Sequence, residues 1–181
     1  MLERGTVERG FTLIEVMISL TVLGIVLMLG LPSFASWLQN QQLRAASEGL
    51  LNGLQTARAE AIRRNLLVQI VFAPPGTGWS VSEAVSGAAI QTRVKEEGSP
   101  NAVLTVTPNT ATTVTFTSLG SVTANLNPPF PTASQFDISN SAGGSCQQVG
   151  GPMRCLRVVV SGGGSLRMCD PNVSLPDPRA C

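Results

Sequence analysis

The chain has 181 residues, a formal net charge of +1, and neither histidine nor tyrosine. This length allows one globular domain together with an extended helix. A net charge so close to zero gives no indication of a nucleic-acid binder. The lack of histidine removes the commonest general acid–base residue and the commonest zinc ligand. We therefore expect no enzyme activity, no catalytic residue, no metal site and no cofactor.

A carboxylate stands just ahead of an uncharged apolar run near the N-terminus. The run extends over Val16–Leu31, and the four residues before Glu15 are uncharged as well. About 20 residues of helix cross a ~30 Å hydrocarbon layer. A carboxylate in such a run costs roughly 2.5–3.5 kcal/mol, so it is usually paired and functional. Cleavage after Gly10 would create an α-amine on Phe11, and the amine of a neighbouring parallel helix would then attract Glu15 at low dielectric.

The segment GFTLIEV, which begins at Gly10, resembles the class III signal of type IV pilins and type II secretion pseudopilins. In that class a membrane peptidase cuts after the glycine, the new phenylalanine is N-methylated, and the glutamate serves in assembly. The resemblance implies cleavage at Gly10, methylation of Phe11 and an assembly role for Glu15. The alternative interpretation is an ordinary membrane anchor with a stray glutamate.

The helix is predicted to continue past the apolar run and to become amphipathic. Apolar residues recur at spacings of three and four and so line one face. Polar residues between them, including Arg44 and Arg58, are expected to be solvated. We expect the helix to run from Thr12 to about Arg64 and to stop at Asn65. The apolar face consists of Leu43, Ala46, Leu50, Leu54, Ala57 and Ala61.

Two further segments resemble the GspH/FimT branch, which contains type II secretion minor pseudopilins and type IV minor pilins. The first is LQTARAEAIRRN at 54–65, and the second is RCLRVVVSGGGSLRMCDP at 154–171. Some competence-type members carry a GRxR segment in the second region that is associated with DNA binding. Here Ser165 replaces the first arginine of that segment.

Basic residues near this segment leave DNA binding as an open alternative. They are Arg154, Arg157 and Arg167. A DNA-binding face neutralises several phosphates and needs clustered basic residues. Because one arginine of the GRxR segment is missing, we expect any contact with DNA to be weak.

Residues 66–181 are predicted to form a β-rich head of six or seven strands. β-Branched and aromatic residues alternate with polar ones between glycine- and proline-rich turns, and the threonines near Val114 are expected to face solvent. The fold class is therefore α+β: a long N-terminal helix, transmembrane in its first half and amphipathic in its second, packed on a C-terminal antiparallel β-sheet head. The predicted strands are 67–72, 78–82, 103–106, 114–116, 136–138, 156–160 and 166–168.

All four cysteines lie in the C-terminal part of the chain, at Cys146, Cys155, Cys169 and Cys181. An even number of clustered cysteines in an exported chain indicates two disulfides. Four cysteines allow three pairings. The short loops containing Gly150 to Pro152 and Pro171 to Pro178 favour Cys146–Cys155 and Cys169–Cys181. A zinc site is the competing interpretation, but the chain has no CxxC motif and no histidine.

These features suggest a leader at 1–10, a transmembrane or fibre-core helix at 11–38, an amphipathic helix at 39–65 and a head at 66–181. The resemblance implies a minor pilin that takes part in type IV pilus assembly or in its initiating or tip complex. The alternatives are a GspH-like minor pseudopilin of the type II secretion system and a DNA-binding subunit of a competence pilus. The C-terminal loop from Cys169 to Cys181 resembles minor pilins more closely than secretion pseudopilins.

The same resemblance implies the partners and the location. The expected partners are the prepilin peptidase and N-methylase, the inner membrane, and other pilins or pseudopilins that bind through the N-terminal helix. We expect a single-pass protein of the bacterial inner membrane with its head in the periplasm. The head would be extracellular once the subunit is in a pilus.

Overall fold

A computed structural model describes residues 10–95, 97–125 and 132–181. Apart from Gly10, the predicted leader lies outside these residues, and so does most of the turn predicted over 125–131. The chain divides into two compact units, one ending at Ala35 and the other beginning at Ser36.

The helix α1 spans Leu13–Arg64, as the apolar pattern predicts. It ends at Asn65, which has a left-handed φ of 55°. Asparagine tolerates this conformation better than most residues, which makes it a suitable helix stop. The last turn is closed by the Asn65 and Leu66 amides, which donate to the carbonyls of Ile62 and Ala61 at 3.3 and 3.2 Å.

Strands among the described residues form two antiparallel sheets. The first sheet has the order β3-β2-β1-β5-β6, and the second has the order β4-β7-β8-β9. The strands are β1 Val68–Phe72, β2 Trp79–Glu83, β3 Ala89–Arg93, β4 Val103–Thr107, β5 Thr113–Phe116, β6 Val122–Thr123, β7 Gln135–Ser139, β8 Leu156–Val160 and β9 Leu166–Cys169.

The described part of the chain thus contains nine strands, where the sequence predicts six or seven. The additional strands are β3 and β6, each at an edge of the first sheet. Most of β3 is exposed, so its sequence lacks the alternation of apolar and polar residues that marks a half-buried strand. Strand β6 has only two residues and is held by backbone pairing with β5. Neither strand therefore carries a hydrophobic signal.

The helix covers both sheets with its predicted apolar face. All six residues of that face are at most 1 % exposed. The two sheets meet beneath the helix, where the rings of Phe72 on β1 and Phe136 on β7 have centroids 4.6 Å apart. Because Ala57 and Ala61 have small side chains, the helix can approach the sheets closely along its last turns. The core of this unit therefore lies between one helix and two sheets.

The structure contradicts two of the predictions about polar side chains. Thr115 is fully buried, and its hydroxyl donates to Asn125 Oδ1 at 2.9 Å, although the strand pattern predicted a solvent-facing position. Arg58 is only partly exposed, and its Nε donates to the carbonyl of Gly120 at 3.0 Å. This carbonyl lies where the turn between β5 and β6 meets the turn between β8 and β9, since the Val122 amide donates to Gly162 at 2.9 Å.

Candidate functional site

The predicted assembly segment begins the helix through a threonine cap. Thr12 precedes the first helical residue, and its hydroxyl accepts the Glu15 amide at 3.3 Å. The Thr12 carbonyl accepts the Val16 amide at 3.2 Å. A threonine with a glutamate three residues later is the capping-box pattern, and a carboxylate in the first turn also suits the helix dipole. The observed cap uses the Glu15 backbone amide, so it does not depend on the Glu15 carboxylate that is predicted to act in assembly.

Large apolar side chains in this segment are exposed from Phe11, at 84 %, to Met28, at 80 %. Gly10 and Glu15 are exposed as well. Within the described ranges, no single helix is long and apolar enough to span a membrane. The segments Leu13–Met28 and Ser33–Arg64 meet the length and composition requirement only as a pair.

In the head, the cysteines form the disulfides Cys146–Cys155 and Cys169–Cys181, the pairing favoured by the short loops. The first disulfide closes a loop that contains one turn of 3₁₀ helix over Gln147–Val149. The second returns the C-terminus to the end of β9, where the Asp170 amide donates to the Arg179 carbonyl at 2.8 Å. We call these segments the first and the second disulfide loop.

A groove of about 510 Å³ lies between the helix and the two disulfide loops. Each of the three elements contributes polar side chains, and the strand residues Leu156 and Met168 contribute an apolar surface. The helix provides Asn40, Gln41 and Arg44, the first loop provides Gln147 and Arg154, and the second loop provides Asp170 and Arg179. The groove is thus lined by the helix, both disulfide loops and strands β8 and β9.

Ion pairs and amide contacts hold these elements in place. Arg154 donates from Nε to the Asp170 carboxylate at 2.8 Å, and the Asp170 side chain is only 4 % exposed. The Arg154 amide donates to Asn40 Oδ1 at 2.7 Å. In the second loop, side-chain and backbone hydrogen bonds from Arg179 lower the pKa of Asp177 to about 2. Each of the three groove arginines is thus paired with a carboxylate: Arg44 with Glu48, Arg154 with Asp170 and Arg179 with Asp177.

Comparison with known families accounts for both the N-terminal segment and the head. The family described as Type II transport protein GspH matches residues 46–164, and the prokaryotic N-terminal methylation motif matches residues 6–31. The first match covers more than half of the chain. The chain belongs to the GspH family. It is a structural subunit of the pilus or pseudopilus type, of the minor pilin and minor pseudopilin kind.

Solved structures of the type IV minor pilin FimU share the fold of this GspH-family chain. Two crystal forms of the type IV minor pilin FimU from Pseudomonas aeruginosa are similar, with TM-scores of 0.52 and 0.51 at 20 % and 19 % identity. They cover 75 % and 74 % of this chain, and 92 % and 97 % of their own. The solution structure of GspH from E. coli has a TM-score of 0.45 at 16 % identity and covers 76 % of this chain and 94 % of its own. No curated protein sequence matches the chain.

The three arginines proposed for DNA contact are all bonded within this GspH-family head. Arg157 donates from Nε to Asp137 at 2.7 Å, directly across the β7–β8 pair. Arg167 donates to the carbonyls of Pro178, at 3.1 Å, and Ala180 in the second loop. Arg157 and Arg167 share one face of the hairpin, since Arg157 pairs with Cys169 and Val159 with Arg167. Arg154 instead lines the groove.

The groove was not predicted from the sequence. Of its helix residues only Arg44 was assigned, to a solvated position, and Asn40, Gln41, Gln147 and Arg179 were not singled out. The clustering of the cysteines was the one available signal, because each disulfide closes a loop that contributes to the groove.

Proposed function

We propose that this chain is a minor pilin that takes part in type IV pilus assembly or in its initiating or tip complex. In this proposal the leader 1–10 is removed, 11–38 anchors the subunit in the inner membrane or fibre core, 39–65 packs on the head, and the head 66–181 is periplasmic. The exported subunit becomes extracellular within the pilus. Its role is structural, and it binds other pilins through the N-terminal helix.

The observation that carries this proposal is the methylation motif over 6–31, which includes Gly10, Phe11 and Glu15. Apolar side chains from Phe11 to Met28 are exposed, so they require cover from lipid or from other helices. A carboxylate at the start of such a segment would attract the methylated amine of an incoming subunit. The prepilin peptidase and N-methylase are therefore the proposed processing partner.

A second candidate is a minor pseudopilin of a type II secretion system, favoured by the family description itself. The C-terminal loop closed by Cys169 and Cys181 favours the pilus assignment, because this loop resembles that of minor pilins more closely than that of secretion pseudopilins. The discriminating experiment deletes the gene and measures piliation and protein secretion in the same strain. Loss of pili with normal secretion supports the minor pilin, and the reverse result supports the pseudopilin.

Processing is tested by N-terminal sequencing and intact mass of protein extracted from membranes. We expect an N-methylated Phe11 start and a mature chain of 171 residues, after removal of residues 1–10 from 181. A start at Met1, or at any residue beyond Val16, would contradict the proposal.

Assembly is tested with Glu15→Val, which removes the carboxylate but keeps the backbone amide that donates to Thr12. We expect normal membrane insertion and loss of the subunit from fibres, measured by immunoblotting of sheared fibres and membranes. Ser19→Val is the matched control, since it removes a polar group one turn away without changing charge. Normal incorporation of the Glu15→Val protein would show that Glu15 is not the assembly contact.

A further inference from the structure

The edge strands of the two sheets differ in how far other backbone segments cover them. The β4 edge is bonded by the turn after β1, since the Leu104 amide donates to the Pro75 carbonyl at 2.9 Å. The β6 edge is bonded by the β8–β9 turn, where the Val122 amide donates to Gly162 at 2.9 Å. The second disulfide loop forms a parallel bridge with the residue that follows β9. Within the described part of the chain, no backbone group outside β2 is bonded to β3. The β3 edge is therefore open to an added strand.

The bonding of the first sheet shows which backbone groups of β3 face this open side. The amide of Glu83, the last residue of β2, donates to the Ala88 carbonyl at 3.0 Å. Alternate residues back along β2 therefore face β3 as well. Their partners are Gln91 and Arg93, whose backbone groups face β2. The amide and carbonyl of Thr92 consequently point away from the sheet. The register shift of this pair lies nearer the start of β3 and leaves this part of the strand regular.

The open edge carries no charged side chain ahead of its last residue. Residues 89–92 are uncharged. Arg93 lies against Gly49 of the helix, and its guanidinium faces the Glu97 carboxylate at 3.8 Å. Lys95, two residues beyond β3, packs the aliphatic part of its side chain on the turn between β1 and β2. Charged residues on an edge discourage the addition of another strand. Most of β3 lacks this protection.

A shallow pocket of about 370 Å³ adjoins the open edge, and its volume is within the ~300–1,000 Å³ typical of ligand pockets. Its lining includes a row of partners across β1, β2 and β3, namely Val71, Ser80 and Thr92. These side chains face away from the helix, because they alternate with the buried residues of β1 and β2. Val94 also lines the pocket and is exposed. A side chain of a strand added beside Thr92 would reach this partly apolar surface.

We propose that the β3 edge binds an extended, uncharged segment of a neighbouring fibre subunit by strand addition, with an apolar side chain of that segment in the pocket. The proposal rests on the structural role proposed above, which brings subunits next to each other. The outward amide and carbonyl of Thr92 pair with the backbone of another strand, and pockets for alternate side chains give such pairing its specificity. An uncharged segment is selected because a charge beside residues 89–92 would lose hydration without gaining an opposite charge.

The small size of the contact explains why the occupant is a subunit of the same fibre. Strand β3 has five residues, whereas a stable complex between free proteins uses about 20–30 residues on each side. Strand addition at this edge is therefore weak unless the partner is already held nearby. Linking two proteins through another contact raises their effective concentration to the order of millimolar. Subunits that bind each other through their N-terminal helices meet this condition.

The binding experiment titrates the full chain in non-ionic detergent with a peptide, followed by NMR line broadening of the peptide signals. The probe is Gly-Thr-Val-Thr-Val-Thr-Gly. One matched probe has the five central amides N-methylated, and another carries Asp in place of both Val residues. We expect each matched probe to bind at least tenfold more weakly, because the first lacks backbone donors and the second brings unpaired charge. Titration of micelles without protein gives the background from detergent.

Two substitutions at one position separate the backbone from the side chain. Thr92→Pro removes the outward amide, a change that edge strands tolerate where the N–H faces solvent. It should weaken binding of the first probe at least tenfold. Thr92→Val keeps the amide and the branched shape, and its binding should equal that of wild type. Thermal unfolding checks that both variants are folded. If Thr92→Pro is not, Val94→Asp adds a charge at the exposed pocket lining and should weaken binding at least fivefold.

Equal binding of the N-methylated probe to the wild-type chain would overturn strand addition. Equal losses in Thr92→Pro and Thr92→Val would also overturn it, because they would assign binding to the side chain. Unchanged binding in a folded Thr92→Pro protein, or in Val94→Asp where that variant replaces it, would refute the proposal as well. Tighter binding of the Asp probe would contradict the selection of an uncharged segment.

Fibre incorporation separates this proposal from the proposed function. We expect Thr92→Pro to enter fibres less than Thr92→Val, measured by immunoblotting of sheared fibres. If the wild-type chain is processed and both variants enter fibres equally, the edge assignment fails and the structural role stands. If the wild-type chain is neither processed nor found in fibres, the proposed function fails whatever the peptide result.

Discussion

Gly53 of the helix lies directly against the indole ring of Trp79 on β2. A Cβ added to Gly53 would stand 2.6 Å from Cε2 and 2.8 Å from Cζ2 of the ring. One turn earlier, Gly49 lies against the guanidinium of Arg93 on β3. Trp79 and Arg93 are partners across the β2–β3 pair. Two glycines spaced by one helical turn therefore receive two neighbouring side chains of the first sheet, and they set how closely the helix approaches it.

We expect Gly53→Ala to destabilise the head. Overpacking a tight site costs about 1–3 kcal/mol, and alanine regains about 1 kcal/mol of helix propensity over glycine. The net expectation is a lower free energy of unfolding and a lower melting temperature for the full chain in non-ionic detergent. Asn52→Ala, at an exposed position of the same turn, should leave stability unchanged or slightly higher. A stabilised Gly53→Ala protein would show that Trp79 can move without cost.

The helix end carries an ion-pair cluster with a defined pH response. Hydrogen bonds from Arg63 and Arg64 lower the pKa of Glu60 from 4.5 to about 2. Arg64 also donates to Glu83 at the end of β2 at 2.9 Å. A carboxyl group whose pKa is lower in the folded than in the unfolded state stabilises the fold at pH values above its unfolded-state pKa. This stabilisation is lost as the pH falls through its folded-state pKa. The cluster should therefore stabilise the head above about pH 4.5 and lose its effect between about pH 4.5 and 2.

Glu60→Gln tests this response because it keeps the shape of the side chain and removes its titration. Melting temperatures of the full chain should fall less between pH 4.5 and 2 in the variant than in wild type. A residual fall is expected, since hydrogen bonds from Ser86 and Arg64 also lower the pKa of Glu83. Between pH 5 and 7 the two proteins should change in parallel. Identical curves over the whole range would contradict the assigned role of Glu60.

The residues that were predictable from sequence are those whose environment is set by local periodicity. The apolar face from Leu43 to Ala61, the helix stop at Asn65 and strand β8 follow from spacing and from backbone preference. Short-range loop closure likewise favoured the observed disulfide pairing. In each case the deciding information lies within a few neighbouring residues.

The remaining features depend on contacts between distant parts of the chain. Arg58 looks like a solvated helix charge until the turn at Gly120 is folded against it. Thr115 alternates with the core residues Val114 and Phe116, yet it is buried and donates to Asn125, ten residues further along the chain. The groove joins Arg44 of the helix to Arg179 of the second disulfide loop. A single sequence does not show which residues of two distant segments lie next to each other, so these contacts could not be predicted.

The second disulfide should stabilise the head and order the C-terminus. Replacing Cys169 and Cys181 by serine opens a loop with a sequence separation of 12. Chain-entropy estimates for a loop of this size give about 2–3 kcal/mol, so we expect a lower melting temperature.

Non-reducing peptide mapping of the wild-type chain checks the pairing directly. A peptide that joins Cys146 or Cys155 to either of the last two cysteines would refute it. The double serine variant at Cys146 and Cys155 is the matched comparison, with a sequence separation of 9. It should lose a similar amount of stability but leave the contacts of Arg167 with the second loop in place.

DNA binding by the head is expected to be weak. Affinity for DNA grows with the number of phosphates that a protein neutralises, and each phosphate adds about 0.9 to the salt slope. Arg157 and Arg167 share a face of the β8–β9 hairpin. Arg157 is paired with Asp137 at 2.7 Å, however, and Arg167 donates to two carbonyls of the second disulfide loop. Binding phosphates would compete with these bonds.

The turn between these strands supplies no replacement for the missing arginine. Ser165 stands in its place, and its hydroxyl lies 2.7 Å from that of Ser161. We therefore expect duplex DNA to bind detectably only at low salt, with nothing measurable at physiological ionic strength. Anisotropy titrations of the full chain with a labelled duplex check this at both salt concentrations, with Arg63→Gln as the control for Arg167→Gln. Micromolar binding at physiological salt that is abolished by Arg167→Gln but kept in Arg63→Gln would show that the hairpin binds DNA without the first arginine. Equal losses in the two variants would indicate general attraction to basic residues, because phosphates that are not held by a specific site respond to charge alone.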